Sequence, residues 1–195
     1  MQKQLTMTIR YSDCNVLTVP GLHGSGPGHW QTLWERAHPE FQRVKQRAWE
    51  EPQLDEWAVT IEKAVAAADR PVLLVAHSFG CLAIARASLR IADRVHGALL
   101  VSPADPARFG VDALLPKDGL GFPSILVASS NDPWLELARA RSFAREWGSR
   151  FINLGACGHI NAASGFGQWP FGKLLLDELR LMSATKKRLP VEMVS

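Results

Sequence analysis

Pro71-Val-Leu-Leu-Val-Ala-His-Ser-Phe-Gly80, running on into Cys81-Leu-Ala-Ile-Ala-Arg-Ala-Ser-Leu-Arg90, decides how the rest of the chain is read. The apolar run after Pro71 ends at small Ala76 without polar alternation, which suits a central parallel strand buried on both faces. The segment after Gly80 is rich in Ala, Leu and Arg, with apolar side chains at Leu82, Ile84, Ala85 and Leu89, which suits a helix. Between the two there is room for one sharp turn, with a serine at its tip.

That turn, Ala76-His77-Ser78-Phe79-Gly80, fits the nucleophile elbow G-x-S-x-G with Ala in the first glycine position. So tight a turn strains the backbone at the serine and presses helix against strand two residues to either side. A Cβ at position 76 is just tolerable, and Gly80 keeps the helix close. The turn lifts the Ser78 hydroxyl above the sheet and sets the Phe79 N–H at a helix N-terminus, where donors are unpaired and the dipole favours an anion. For an isolated serine before a helix, a simple N-cap is the plain alternative. The buried strand before it and the helix after it favour the elbow.

A chain of 195 residues suffices for one well-buried domain and is short for two. The expected unit is therefore residues 1–195, with a core from about 15 to 183 between a polar leader and a basic tail. Hydrophobic content of 47% and charged content of 21% are ordinary for a soluble globular protein. A net charge of +3 is too small to imply nucleic acid, and Lys186-Lys187-Arg188 reads as a solvated tail. Cys14, Cys81 and Cys157 lack metal-type spacing and read as reduced thiols in a cytoplasmic protein. Met1–Arg10 has no apolar core of a signal peptide, and no apolar run approaches the roughly 18 residues of a membrane span.

Taken in order, Asn15-Val-Leu-Thr-Val-Pro20 reads as a first buried strand. It leads into Gly21-Leu-His-Gly-Ser-Gly-Pro-Gly28 and an amphipathic helix, His29 to His38. The glycine loop lacks both the Gly-Lys-Ser/Thr ending of a phosphate loop and the GxGxxG spacing, so nucleotide binding is disfavoured. Phe41–Gln46 suits an edge strand and Leu54–Ala67 a helix. His96–Ser102, Pro123–Ser130 and Arg150–Leu154 are further strands, with helices ending near Trp147 and spanning about 170–183. Strands alternating with helices imply a three-layer α/β/α fold around a mostly parallel, doubly wound sheet of about six strands. Right-handed crossovers gather the loops after each strand on one rim, where ligands bind.

A serine hydroxyl needs a base, and the base needs an acid to fix its tautomer. His159, in the Gly-rich loop after the last strand, is the best base. His77 is too close in sequence to reach the hydroxyl, His29 and His38 look helical, and His96 begins a strand at the wrong rim. Asp132, ending the strand 123–130, is the favoured acid; Asp105, one strand earlier, is its rival. Asn131 or Asp132 also suits an N-cap before Pro133. Both readings hold if Asn131 caps and Asp132 faces the histidine. The order Ser78, Asp132, His159 is that of the α/β-hydrolases. In such a fold the first strand's loop supplies the second oxyanion donor beside Phe79, here Leu22, with His23 the close alternative.

Four pieces carry a more specific likeness: Pro20-Gly-Leu-His-Gly-Ser-Gly-Pro-Gly-His-Trp-Gln31, Ala76–Gly80, Ser130-Asn-Asp-Pro-Trp134 and Gly158-His-Ile-Asn-Ala-Ala-Ser-Gly-Phe-Gly-Gln-Trp-Pro170. Over roughly residues 15–180 the chain resembles the small serine hydrolases related to retinoblastoma-binding protein nine, bacterial members included. The resemblance implies a minimal α/β-hydrolase fold without a lid domain, no cofactor, and Ser78, Asp132 and His159 at the triad positions. It names no substrate. The L-x-C-x-E docking motif for retinoblastoma-type pockets is absent.

The expected chemistry is acyl transfer on a small ester, thioester or activated amide, through an acyl-enzyme. With neutral imidazole as base, activity should rise through roughly pH 6–7. Residues 103–122 are too few for a helical lid, so the cleft should be open and suited to small acyl groups. His23, Trp30, Trp134 and Trp169 lie near rim loops and are candidates for contacting substrate, although tryptophans commonly pack the core. A catalytically silent protein-binding module with the same fold is the alternative, and no particular protein partner is indicated.

Overall fold

The computed structural model describes residue 11 and residues 13–186. The expected polar leader, the absence of a signal peptide read from it, and the tail beyond Lys186 fall outside the described residues. Among the described residues there are six strands: β1 Asn15–Val19, β2 Phe41–Arg43, β3 Val72–His77, β4 Val95–Val101, β5 Ser124–Ala128 and β6 Arg150–Asn153. They form one sheet in the order β2-β1-β3-β4-β5-β6, and every neighbouring pair is parallel. Four α-helices lie between strands, α1 Trp30–Ala37, α2 Leu54–Ala67, α3 Phe79–Ile91 and α4 Leu137–Glu146, and α5 Pro170–Lys186 follows β6.

Strand periodicity divides the core in two. Leu74, Ala76, Leu100 and Leu126 face the cluster built by α2, α3 and α4, while Leu73, Val75, Leu99 and Val127 face the one built by α1 and α5. Both faces being covered explains why the central strands read as unbroken apolar runs. Each fully buried Leu or Val contributes about 1.5–3 kcal/mol over exposure, so these layers hold the loops of the rim in place. The three-layer fold expected from the sequence is the fold found. β1 sends its connection to β2 on one side while β3 lies on the other, so the loops after β1 and β3 part company between them. A crevice at such a switch point is where open α/β sheets bind ligands.

Two local differences stand out. The edge strand ends at Arg43, three residues short of the expected Gln46, with the Val44 N–H still donating to the Thr18 carbonyl at 2.9 Å; beyond it Val44 packs in the α2–α4 cluster and Gln46 is buried. The 103–122 segment forms short 3-10 turns at Pro106–Phe109 and Asp112–Leu114 and is fastened to the core by buried Val111, Leu115, Leu120 and Phe122.

Candidate active site

Ser78 sits at φ 55, ψ −123, in the strained conformation a nucleophile elbow requires. The reason for Gly80 is contact: a Cβ there would lie 2.4 Å from the Val19 carbonyl oxygen and 2.6 Å from that of Pro20. Gly21 has the same role in reverse, since its Cβ would come within 2.7 Å of the Ser78 Cβ. The two loops therefore interlock through absent side chains. Phe79, fully buried, wedges the start of α3 between Trp57 at 5.1 Å and Phe109 at 5.0 Å, ring centre to ring centre.

His159 Nε2 lies 3.0 Å from the Ser78 Oγ, and its Nδ1 lies 2.9 Å from each Asp132 carboxylate oxygen. The histidine and aspartate side chains are only 9% and 3% exposed, which shields the pair from water and strengthens it. With Nδ1–H donating to the carboxylate, Nε2 is left to accept from the serine hydroxyl. Asp105 is occupied elsewhere: its carboxylate accepts the Ala107 N–H at 3.0 Å and caps the Pro106–Phe109 turn. The expectation that Asn131 or Asp132 caps a helix beginning at Pro133 is corrected. α4 starts at Leu137 with Glu136 before it; Asp132 Oδ1 does accept the Trp134 N–H at 2.9 Å, but in a turn and not at a helix start, and Asn131 Oδ1 accepts the Gly158 N–H at 2.7 Å.

That bond is one of a set gripping the loop that carries His159. The Cys157 N–H donates to Ser129 Oγ at 2.9 Å and the His159 N–H to Ser164 Oγ at 3.1 Å. From the opposite side, His77 Nε2–H donates to the His159 carbonyl at 2.9 Å, and Trp30 Nε1–H to the Ile160 carbonyl at 2.9 Å. Ile160 is β-branched yet held at φ 47, a costly conformation that these donors keep in place.

The glycine loop is equally well fixed. Ser25 Oγ donates to Gln31 Oε1 at 2.6 Å, Thr32 Oγ1 donates to the Ser25 carbonyl at 2.7 Å, and Gln31 Nε2 donates to the Val75 carbonyl at 2.9 Å. The His23 N–H donates to the Trp49 carbonyl at 2.9 Å and so is already used. Among the described residues, neither the Leu22 nor the Phe79 N–H has a protein acceptor.

Ser78 opens into a cleft of about 250 Å³ walled by Leu22, His23, His29, His77, Phe109, Trp134 and Asn161, with Ala104, Asp105 and Arg108 along one side. Of the four expected substrate contacts, His23 and Trp134 line it, Trp134 being 49% exposed. Trp30 and Trp169 do not: they are 0% and 7% exposed and pack on each other and on Trp34 in the α1–α5 core. His29, set aside as helical, is the N-cap of α1, accepting the Gln31 N–H through Nδ1, and lies in the cleft wall. Burial pushes its pKa down to about 4, with Arg43 and His159 adding to the effect. Burial likewise holds His77 well below the ordinary imidazole range, helped by His159 and His29. Among the described residues no cluster of three His, Cys, Asp or Glu side chains is arranged to hold a metal ion. Nor is any helix there long and apolar enough to cross a membrane.

The same fold recurs in solved structures. A YdeN-like hydrolase from Pectobacterium atrosepticum is 38% identical, with 87% of this chain and 92% of that one covered and a TM-score of 0.82. The ydeN gene product of B. subtilis is 21% identical over 84% of this chain and 97% of its own, TM-score 0.65. A monoacylglycerol lipase from Paleococcus ferrophilus shares 14% identity over 84% and 93% of the two chains, TM-score 0.61, a likeness of fold alone. No curated protein matches. The family model described as serine hydrolase matches residues 16–178, so the chain belongs to the serine hydrolase family.

Proposed function

We propose that this enzyme hydrolyses a small ester, thioester or activated amide, with Ser78 as nucleophile, His159 as general base and Asp132 as the acid that orients it. The observation that carries the reading is the unbroken run of hydrogen bonds from the Ser78 hydroxyl through His159 to Asp132, opening into the cleft. As Ser78 Oγ attacks the carbonyl carbon, His159 Nε2 takes its proton. The oxyanion is received by the Phe79 and Leu22 N–H groups, each such donor being worth about 3 kcal/mol in the transition state. Collapse expels the alcohol, thiol or amine, which leaves with the proton from His159. Water then repeats the sequence on the acyl-enzyme.

His23 is the weaker oxyanion candidate because its N–H is spent on Trp49. The cleft volume of about 250 Å³ lies at the small end for ligand sites and supports short acyl groups. The anchored 103–122 segment and the likeness to relatives of retinoblastoma-binding protein nine both support a lidless member of the family. Unpaired Cys14, Cys81 and Cys157 support a reducing, cytoplasmic setting. The test is turnover of short 4-nitrophenyl esters by the wild type, Ser78→Ala and His159→Ala. Turnover in the wild type alone is the expected result; activity that survives in Ser78→Ala would assign the chemistry to another group.

A further inference from the structure

The rim of the cleft formed after β4 has a charge arrangement that the hydrolytic reaction itself does not require. Asp105 and Arg108 are the charged side chains there, while His29 and His77 are held neutral by burial. Asp105 is committed to its own backbone through the Ala107 N–H. Arg108 has no carboxylate partner among the described residues; one of its N–H groups donates to the Pro133 carbonyl at 3.1 Å, and its guanidinium carbon lies 5.0 Å from the Trp134 ring centre.

A guanidinium carries five donors in a planar fork. Here one donor and one face anchor it, so much of the side chain's freedom is gone before any ligand arrives. The donors left over are those that match a carboxylate bidentately. The Trp134 ring supporting Arg108 stands 6.2 Å from the His159 ring, so the cation and the reacting centre share one wall, separated by a flat apolar surface. That surface suits a short run of methylenes.

We infer that Arg108, backed by Trp134, reads a carboxylate at the far end of the acyl group, so that the favoured substrates are half-esters or half-amides of short dicarboxylic acids. The inference rests on the Ser78 reaction proposed above. It requires no new bond-making step: the distal carboxylate is bound and released unchanged, and only the scissile acyl bond is exchanged for water.

The test compares the mono-4-nitrophenyl ester of adipic acid with the same compound capped as its methyl ester. The chain is long enough that attack by its own carboxylate is slow, the two substrates differ at the distal end by the charge and one methyl group, and release of 4-nitrophenolate reports the aryl ester alone. The wild type is expected to prefer the free acid by about tenfold in kcat/KM, chiefly through KM, and the preference should shrink as salt is added. Arg108→Gln should erase the preference, the free acid losing about tenfold more in kcat/KM than the methyl ester loses. Arg108→Lys, which keeps the charge but not the fork, should fall between. Equal Ser78-dependent turnover of both esters by the wild type would sink the inference and leave the hydrolase reading standing. An equal loss on both esters in Arg108→Gln would sink it too, by showing that Arg108 only supports the loop. If neither ester shows Ser78-dependent turnover in the folded protein, both readings fall together.

Discussion

Replacing Gly80 by alanine should separate the elbow's geometry from the stability of the fold. The added Cβ would start 2.4 Å from the Val19 oxygen and 2.6 Å from the Pro20 oxygen, whereas ordinary contact begins at 3.4 Å. Both obstacles are backbone, one at the buried end of β1, so α3 itself must retreat by roughly 1 Å. Overpacking of this kind costs about 1–3 kcal/mol, which a domain of 5–15 kcal/mol survives. Catalysis is less tolerant. The retreat carries the adjacent Phe79 N–H and Ser78 Oγ with it, and a displacement near 1 Å at a reacting centre costs about 100-fold. The assay is kcat/KM on a short 4-nitrophenyl ester alongside urea unfolding, with Gly26→Ala as control because nothing lies within 4 Å of that Cβ. Gly80→Ala with wild-type kcat/KM and an unchanged urea midpoint would refute the contact argument outright.

Three other outcomes follow from the site. Asp132→Asn should lower kcat by about 10³–10⁴ through loss of the correct His159 tautomer, while Asp105→Asn should stay within a few-fold; comparable losses in both would return Asp105 to contention. Trp30→Phe keeps a ring in the core but removes the donor to the Ile160 carbonyl. It should cost about 1 kcal/mol of stability and lower kcat several-fold with KM little changed, and a change in KM alone would argue against a role in holding His159. His29 gives a pH dependence. The unfolded chain binds a proton near 6.5 and the folded ring refuses it until about 4, so stability is full above 6.5 and declines as the pH falls toward 4. His29 contributes on the order of 3 kcal/mol to this decline and buried His77 adds to it, so His29→Asn, which keeps a cap acceptor for α1, should make the decline shallower without abolishing it in urea midpoints taken at pH 7.5 and 4.5.

The fold and the central residues were legible because their signals are local. A strand buried on both faces reads as an apolar run, and an elbow needs small residues at fixed places around Ser78. The errors concern where side chains point. Trp30 and Trp169 adjoin rim loops in the sequence, yet nearness along the chain does not fix direction. The spacing of Trp30 and Trp34, four apart on α1, was a core stripe that favoured packing over substrate contact. His77 could have been placed by parity: it continues the alternation Leu73, Val75, His77, which turns it toward α1 and the His159 loop. Asn131 and Arg108 were not legible, because their partners at Gly158, Pro133 and Trp134 lie across loops whose approach only the folded sheet defines.

Labelling with a fluorophosphonate probe, followed by peptide mass spectrometry, reads out whether Ser78 is an activated nucleophile. One adduct is expected, on Ser78 in the peptide spanning the elbow, formed by the wild type and lost in both Ser78→Ala and His159→Ala. A folded wild-type protein that takes up no probe, or takes it up on a different residue, would contradict that role for Ser78.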